Sequence, residues 1–274
     1  MSGKLYVVGT PIGNLEDMTY RAVRILSEVD FICAEDTRVT LKLLNHFDIK
    51  KPLVSCHEHS HGDVFTRAAD RIAAGESCAV VTDAGMPCIS DPGAVLIGIC
   101  YERGIPVESV PGPTAVATAA ALCGLDASRF AFEGFLSVAK KQRYAHLTAL
   151  ARDPHTLIFY EAPHKLKQTL ADMLEIFGDR RISLCHELTK IHESVQRTTL
   201  SQAAAYYENV TPKGEYVLVV EGFVPDDDTA EYTIEDAVAY AKQLAENGMR
   251  PTDSAKEAAR LTGFKKSEIY SLMK

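Results

Sequence analysis

An α/β fold of two parts followed by a small helical appendix is what the sequence predicts, on three observations. Short β-branched runs alternate with helical patterns through the first 110 residues, which is how βαβ units around a mostly parallel sheet read in a sequence. A second set of strands and helices follows Pro113, with a spacing that favours antiparallel pairing. Then the acidic run Pro225-Asp226-Asp227-Asp228 breaks the pattern, because clustered like charges beside proline resist packing. The expected domains are an N-terminal lobe over 1–112, a second lobe over 113–224, and a linker with a small helical domain over 225–274. A chain of 274 residues is long enough for separate cores of this size.

In the first part, Leu5–Val8, Val29–Cys33, Pro52–Ser55, Cys78–Thr82 and Ile105–Val110 read as buried strands, each a short apolar run ended by turn residues. Helical patterns fill the intervals at Thr19–Ser27, Thr37–His46, Asp63–Ala74 and Pro92–Glu102. The second part opens with an Ala-rich helix running to Cys123. A strand near Phe130–Glu133, helix Lys140–Ala151, strand Thr156–Tyr160 and helix Pro163–Phe177 follow. Strands Arg181–Glu187 and Glu193–Thr198, helix Ser201–Tyr207 and strand Tyr216–Glu221 complete it. In the appendix, Thr233 and Asp236 approximate a capping box that opens helix Ile234–Glu246, and Gly248, Pro251 and Gly263 punctuate two further short helices, an arrangement compatible with a helix-turn-helix. The segment from Arg250 carries six basic against three acidic residues; a solvated helical face explains this better than RNA contact.

Composition narrows the function classes. A formal charge of −8 argues against a general nucleic-acid coat, although it leaves room for local basic patches. No apolar stretch reaches the ~18 residues of a membrane span and nothing resembles a signal peptide, so a cytoplasmic protein is expected. The seven cysteines are scattered and never spaced C-x-x-C, which reads as buried small apolar residues rather than a disulfide framework or zinc site. No two of the 17 glycines lie two apart, which removes both the G-x-G-x-x-G dinucleotide fingerprint and the G-x-S-x-G nucleophile elbow. Walker A and H-E-x-x-H are also missing.

What remains is a set of loops at the carboxyl ends of strands. Parallel strands joined by helices deliver those ends to one edge of the sheet, where ligands bind. The run Asp83 to Gly93 is longer than an ordinary strand-to-helix connection and offers glycine for close backbone approach. Pro111-Gly112-Pro113-Thr114-Ala115 leads into a helix whose free amides favour a carboxylate or phosphate, and equally suits a rigid hinge. Glu35-Asp36-Thr37-Arg38 places more charge at a strand end than a helix cap requires. Tyr160-Glu161-Ala162-Pro163-His164-Lys165 and Glu187-Leu188-Thr189-Lys190 repeat the pattern in the second part. His57, His59 and His61 alternate around Glu58; surface or RNA-facing contacts suit them better than a metal, since no further ligand is fixed nearby.

Taken in order, V-G-T-P-I-G-N-L (8–15), A-E-D-T-R (34–38), T-D-A-G-M-P-C-I-S-D-P-G (82–93), V-P-G-P-T-A (110–115), Y-E-A-P-H-K (160–165) and E-L-T-K (187–190) resemble the tetrapyrrole methylase superfamily, in its branch that methylates small-subunit ribosomal RNA. The resemblance spans roughly Lys4 to Phe223. It implies two α/β lobes with S-adenosylmethionine in the cleft between them, a homodimer, no metal, and 2′-O-methylation of a cytidine ribose in the decoding region of 16S rRNA, with the 30S subunit as the expected partner. By position it implies cofactor contacts from Gly9, Thr10, Pro11, Asp83, Ala84, Gly85, Ser90, Asp91, Thr114 and Ala115, with Tyr160 and Pro212-Lys213-Gly214 closing the other wall. Met86 and Cys88 depart from the smaller, more polar or aliphatic residues expected in that loop.

Methyl transfer to a hydroxyl needs a proton acceptor, and Asp36, Glu35, Glu161 and Lys190 are the candidates. Arg38 suits a phosphate. A local basic surface for RNA is expected from Arg38, Lys140, Lys141, Arg143 and Lys165, with Arg180, Arg181 and Lys190. Two other readings share parts of this pattern. A tetrapyrrole methyltransferase would need a large apolar macrocycle pocket, which the charged loops disfavour. A noncatalytic ribosome-assembly factor would use the C-terminal helices and keep a vestigial cleft.

Overall fold

The structure, a computed structural model, describes residues 3–56, 62–89, 93–225 and 232–273. His57, His59 and His61, the loop residues Ser90 and Asp91, and Asp226–Asp228 lie outside them. The chain separates into two compact units, Met1–Phe223 and Val224–Lys274.

The first unit begins with five strands, β1 (Leu5–Val8), β2 (Phe31–Ala34), β3 (Leu53–Ser55), β4 (Cys78–Val81) and β5 (Val107–Val110). They form one sheet in the order β3-β2-β4-β1-β5, parallel at every pairing. Helices α1 (Tyr20–Glu28), α2 (Thr37–His46), α3 (Gly62–Ala73) and α4 (Gly93–Glu102) are the crossovers. Because successive strand residues face opposite sides, Leu5, Phe31, Cys33, Cys78 and Val80 pack under α3 and α4, while Val8, Ile32, Ala34, Ala79 and Val81 pack under α1 and α2. A sheet buried on both faces has no polar alternation, which is why these strands are continuous apolar runs. Six of the cysteines are buried in these and the following cores, and all seven are free thiols.

After β5 comes α5 (Ala115–Leu122), then β6 (Phe130–Phe135), α6 (Lys140–Leu150), β7 (Thr156–Glu161), α7 (Pro163–Phe177), β8 (Arg181–His186), β9 (Ser194–Thr199), α8 (Leu200–Asn209) and β10 (Tyr216–Val220). The second sheet runs β6-β7-β10-β8-β9; β6 and β7 are parallel, and the other pairs antiparallel. One face carries Leu157, Phe159, Leu184, Leu218 and Val220 against α6, α7 and α8. The opposite face carries Ile158, Cys185, Val217 and Val219 against Ala119 and Cys123 at α5. Helix α5 is apolar around its circumference and can therefore sit against the second sheet while its first turn stays beside the first. Ile12, from the loop after β1, joins the same core.

One expectation fails here. Arg143 does not face RNA: its side chain is only 9% exposed, with Nε 2.6 Å from Asp172 Oδ2 and Nη1 donating to the carbonyls of Ser137 and Val138. Gln168 donates to the other Asp172 oxygen. An amphipathic helix pattern cannot distinguish an arginine at the surface from one paired inside. Arg180 is likewise partly buried, bonded to the Ala151 carbonyl, and Arg181 is paired with Glu221.

The second unit holds α9 (Ile234–Glu246), α10 (Pro251–Thr262) and α11 (Lys266–Leu272), around a core of Ala237, Ala241, Ala255, Ala258 and Ile269. The capping box forms as anticipated: Thr233 Oγ1 accepts from the Asp236 amide and the Asp236 carboxylate from the Thr233 amide. Among the described residues no helix is long and apolar enough to cross a membrane.

The buried ion pair sets a stability test. Asp172→Ala leaves the Arg143 guanidinium without its counter-charge and is expected to cost about 3–5 kcal/mol, measured by urea denaturation. Unchanged stability would show that Arg143 is not held by this pair.

Candidate active site between the two sheets

The site is built from the close approach of two loops. Gly9 sits against Gly112, so that a Cβ on Gly9 would lie 2.7 Å from the Gly112 Cα and nitrogen and 2.8 Å from Met86 Sδ. One residue on, Thr10 and Gly85 exchange both backbone hydrogen bonds, at 2.9 and 3.1 Å, and the buried Thr10 hydroxyl lies 3.2 Å from the Thr82 carbonyl. Gly85 has φ +87°, a conformation open to glycine at little cost. The loops after β1, β4 and β5 are thereby fused into one floor, beside the adjacent strands β4 and β1 whose crossovers leave in opposite directions along the sheet, which is where open α/β sheets bind ligands.

Above that floor lies a cleft of about 500 Å³, within the usual range of roughly 300–1,000 Å³ for small-molecule and cofactor sites. From the first sheet's side Ile12, Glu35, Thr82, Asp83, Ala84, Gly85, Met86 and Ile89 line it, with Thr114 and Ala115 at the start of α5. From the second sheet's side come Phe135, Tyr160, Glu161, Ala162, Pro163, Glu215, Tyr216 and Val217. The cleft thus brings together Glu35, Asp83, Ala84, Gly85, Thr114, Ala115, Tyr160 and Glu161 from the sequence-derived set. Gly9, Thr10 and Pro11 do not reach its lining; they are buried beneath it. Pro212 and Gly214 also stop short, and Glu215, Tyr216 and Val217 take their place.

The candidate bases differ sharply in their surroundings. Asp36 caps α2, and its carboxylate accepts from the Arg38 amide, Nε and Nη2. That guanidinium and amide hold the Asp36 carboxyl down to about 2, too acidic to take up a proton near neutrality, and Asp36 does not line the cleft. Glu161 is enclosed: it accepts from Thr169 Oγ1 at 2.5 Å and the Ala162 amide at 2.9 Å, and Lys165 Nζ lies 2.9 Å away. Burial alone would lower Lys190, but the carboxylates of Glu187 and Glu215, 2.8 and 2.9 Å from its ammonium, outweigh burial and raise it. A held ammonium is a donor. Glu35 and Asp83 remain on one wall, where Glu35 Oε2 accepts from Thr82 Oγ1 at 2.5 Å and from the Asp83 amide at 3.3 Å. Partial burial raises the Asp83 carboxyl above the ordinary range, against the Asp36 amide's opposing hydrogen bond, and the nearby charges of Glu35 and Asp36 push it further.

Of the cations expected to meet RNA, Lys140 and Lys141 are exposed at the start of α6. The Arg38 side chain is 87% exposed while paired to Asp36. Lys165 is drawn inward to Glu161 and the Leu136 carbonyl. Tyr160 closes the wall by accepting the Val116 amide at 3.1 Å, which satisfies a first-turn donor of α5. Phe135 and Tyr216 lie outside the sequence-derived set, because apolar residues at strand ends read as core, whereas Ile89 belongs to the Asp83–Gly93 run.

A sequence profile of the tetrapyrrole (corrin/porphyrin) methylases matches residues 4–204. A Halalkalibacterium halodurans protein named ribosomal RNA small subunit methyltransferase I is 46% identical over 98% of this chain and 94% of its own length. The Thermotoga maritima protein of the same name is also 46% identical, over 80% of this chain and 99% of its own. Among solved structures, the uroporphyrin-III C-methyltransferase of Thermus thermophilus, complexed with S-adenosyl homocysteine, superposes with a TM-score of 0.57 at 21% identity, covering 80% of this chain and 97% of that one.

The tight loop contact yields a contrast between two glycines. Gly9→Ala forces backbone apart and is expected to cost about 1–3 kcal/mol. Gly98, inside α4 with open space at its Cβ position, should gain up to roughly 1 kcal/mol on replacement by Ala. Denaturant midpoints of the two variants check this; equal shifts would rule out the packing described. By profile and by relatives, the chain belongs to the tetrapyrrole methylase family, in the group of the ribosomal RNA small subunit methyltransferase I proteins.

Proposed function

We propose that this chain transfers a methyl group from S-adenosylmethionine to the ribose 2′-oxygen of a cytidine in the decoding region of 16S rRNA, acting on the 30S subunit, in the cytoplasm and as a homodimer. The observation that carries the reading is one cleft with two unlike walls. Small residues and backbone of the first sheet's loops, with Glu35 and Asp83, face the strand ends Phe135, Tyr160, Tyr216 and Val217 of the second, with Glu161 and Glu215 beside them. The relatives' shared name supplies the acceptor class.

The residues fit such a donor. The small side chains of Ala84, Gly85 and Ala115 leave room for a nucleoside, and Ile12, Met86 and Val217 offer apolar surface to the methylene groups beside the donor's sulfonium. Glu35 would hold hydroxyls or an ammonium. When bound, S-adenosylmethionine supplies an electrophilic methyl on a positively charged sulfur.

The protein's own contribution is alignment and proton transfer. Holding acceptor oxygen and methyl carbon in line supplies much of the rate, and a carboxylate in the wall takes the hydroxyl proton. Asp83 suits that role better than Asp36, Glu161 or Lys190, since it lines the cleft and burial raises its affinity for a proton. Glu35 beside it reinforces that affinity and orients the Thr82–Asp83 turn. This charged wall also disfavours an apolar macrocycle as acceptor.

Tritiated methyl transfer to 30S subunits lacking the modification, followed by nuclease digestion, tests the reading: label is expected in 2′-O-methylcytidine. Label in another nucleoside, or none, contradicts it. Asp83→Asn is expected to lower kcat by about 10²–10⁴-fold. Because only the ionised form accepts the proton, wild-type kcat should fall as pH drops through the raised Asp83 pKa, a limb the variant lacks. The folded state favours protonated Asp83, so ionisation above that pKa costs stability, and Asp83→Asn should raise Tm. Full turnover in the variant excludes Asp83 as the base. Light scattering of the pure protein, giving twice the chain mass, tests the dimer.

A further inference from the structure

Phe135 stands apart from the other aromatic residues of the site. It lines the cleft, yet 57% of it remains exposed, whereas Tyr160 and Tyr216 are withdrawn into the fold. Its position results from an irregularity: the β6–β7 register shifts between Phe132 and Gly134, and Gly134 takes φ +66°. A bulge of this kind re-aims the side chain that follows it. Phe132 and Phe135 consequently both meet the Tyr160 ring, at centroid distances of 4.7 and 5.5 Å and steep interplanar angles. Edge-to-face contact with Tyr160 fixes the Phe135 plane. Lys165 Nζ lies 5.7 Å from its centroid, held there by Glu161 and the Leu136 carbonyl. A few residues on, Lys140 and Lys141 are exposed at the first turn of α6.

A fixed aromatic ring with a solvent-exposed surface beside exposed cations is how single-stranded nucleic acid is held: bases stack on the ring while lysines meet the phosphates. RNA-binding proteins hold unstacked nucleotides in the same way, with the splayed-out base on an aromatic side chain. Resting on the methyl-transfer reading above, we infer that Phe135 is the stacking platform for the nucleobase of the target nucleotide, across the cleft from the carboxylate wall of Glu35 and Asp83, with Lys140 and Lys141 on the adjacent phosphates. Tyr160 acts through Phe135 as a positioning residue.

The test measures methyl transfer to 30S subunits and, by calorimetry, binding of S-adenosyl homocysteine, for the wild type and for Phe135→Ala, Phe135→Leu and Phe135→Tyr. Loss of stacking should weaken kcat/KM for the subunit about 5- to 150-fold in the Ala variant and comparably in the Leu variant. The Tyr variant should stay close to wild type, and all four proteins should bind S-adenosyl homocysteine equally. Full activity in Ala or Leu would overturn the platform while leaving the methyl-transfer reading intact. Equal loss of S-adenosyl homocysteine binding would place Phe135 in the donor site instead, and a changed oligomeric mass in the Ala variant would make it a contact between copies. No transfer by the wild type would remove the reading itself and the platform with it.

Discussion

Gly9 and Gly112 approach so closely that a methyl on Gly9 would overlap the Gly112 backbone, and this contact sets the spacing of the loops that follow β1 and β5. Thr10 and Gly85 then tie in the loop after β4 by a reciprocal pair of backbone hydrogen bonds. Three segments distant in sequence become one surface with few side chains on it, so a ligand can meet backbone directly. Gly9 and Thr10 are buried beneath the cleft, whereas Gly85 both ties the loops together and lines it.

The second sheet is joined to that floor by two apolar links. Ile12 leaves the β1 loop to enter the second sheet's core, and α5 packs Ala119 and Cys123 on the same face. The first turn of α5 accordingly stands at the cleft while its body is anchored below the second sheet, with Tyr160 accepting one of its amides. Charge is distributed to match. Most carboxylates around the site are neutralised in pairs, as in Asp36 with Arg38 and Glu187 with Lys190, whereas among the described residues no ion pair within 4 Å involves Glu35 or Asp83, which face the cleft. A chain of net charge −8 can approach RNA through the exposed Lys140 and Lys141 while keeping its acidic residues paired or turned elsewhere.

Much of the architecture is legible in the sequence because both sheets are buried on two faces, so apolar runs ended by Gly, Pro and Asp mark strands with little ambiguity. Helices Thr37–His46, Pro163–Phe177 and Ile234–Glu246 begin and end where their caps place them. Loop chemistry located the first wall for the same reason: Asp83 to Gly85 and Thr114-Ala115 are unusual as connections. Harder to read were facts that depend on the third dimension. Arg143 has the same sequence surroundings as a surface arginine, and only Asp172, 29 positions away, reveals it as buried. Gly9, Thr10 and Pro11 carry the motif, and their burial beneath the cleft lining rests on contacts with Gly85 and Gly112 that no spacing reveals. Phe135 becomes visible only through a register shift that no spacing rule anticipates.

The account turns on the floor of the cleft being the cofactor site. Amide hydrogen exchange of the full chain with and without S-adenosyl homocysteine addresses this directly. Protection is expected in the loops at 9–14, 83–89 and 112–116 and at the start of β10, with the far face of the second sheet unchanged. Binding without protection of those loops, or protection confined to the C-terminal helices, would contradict it.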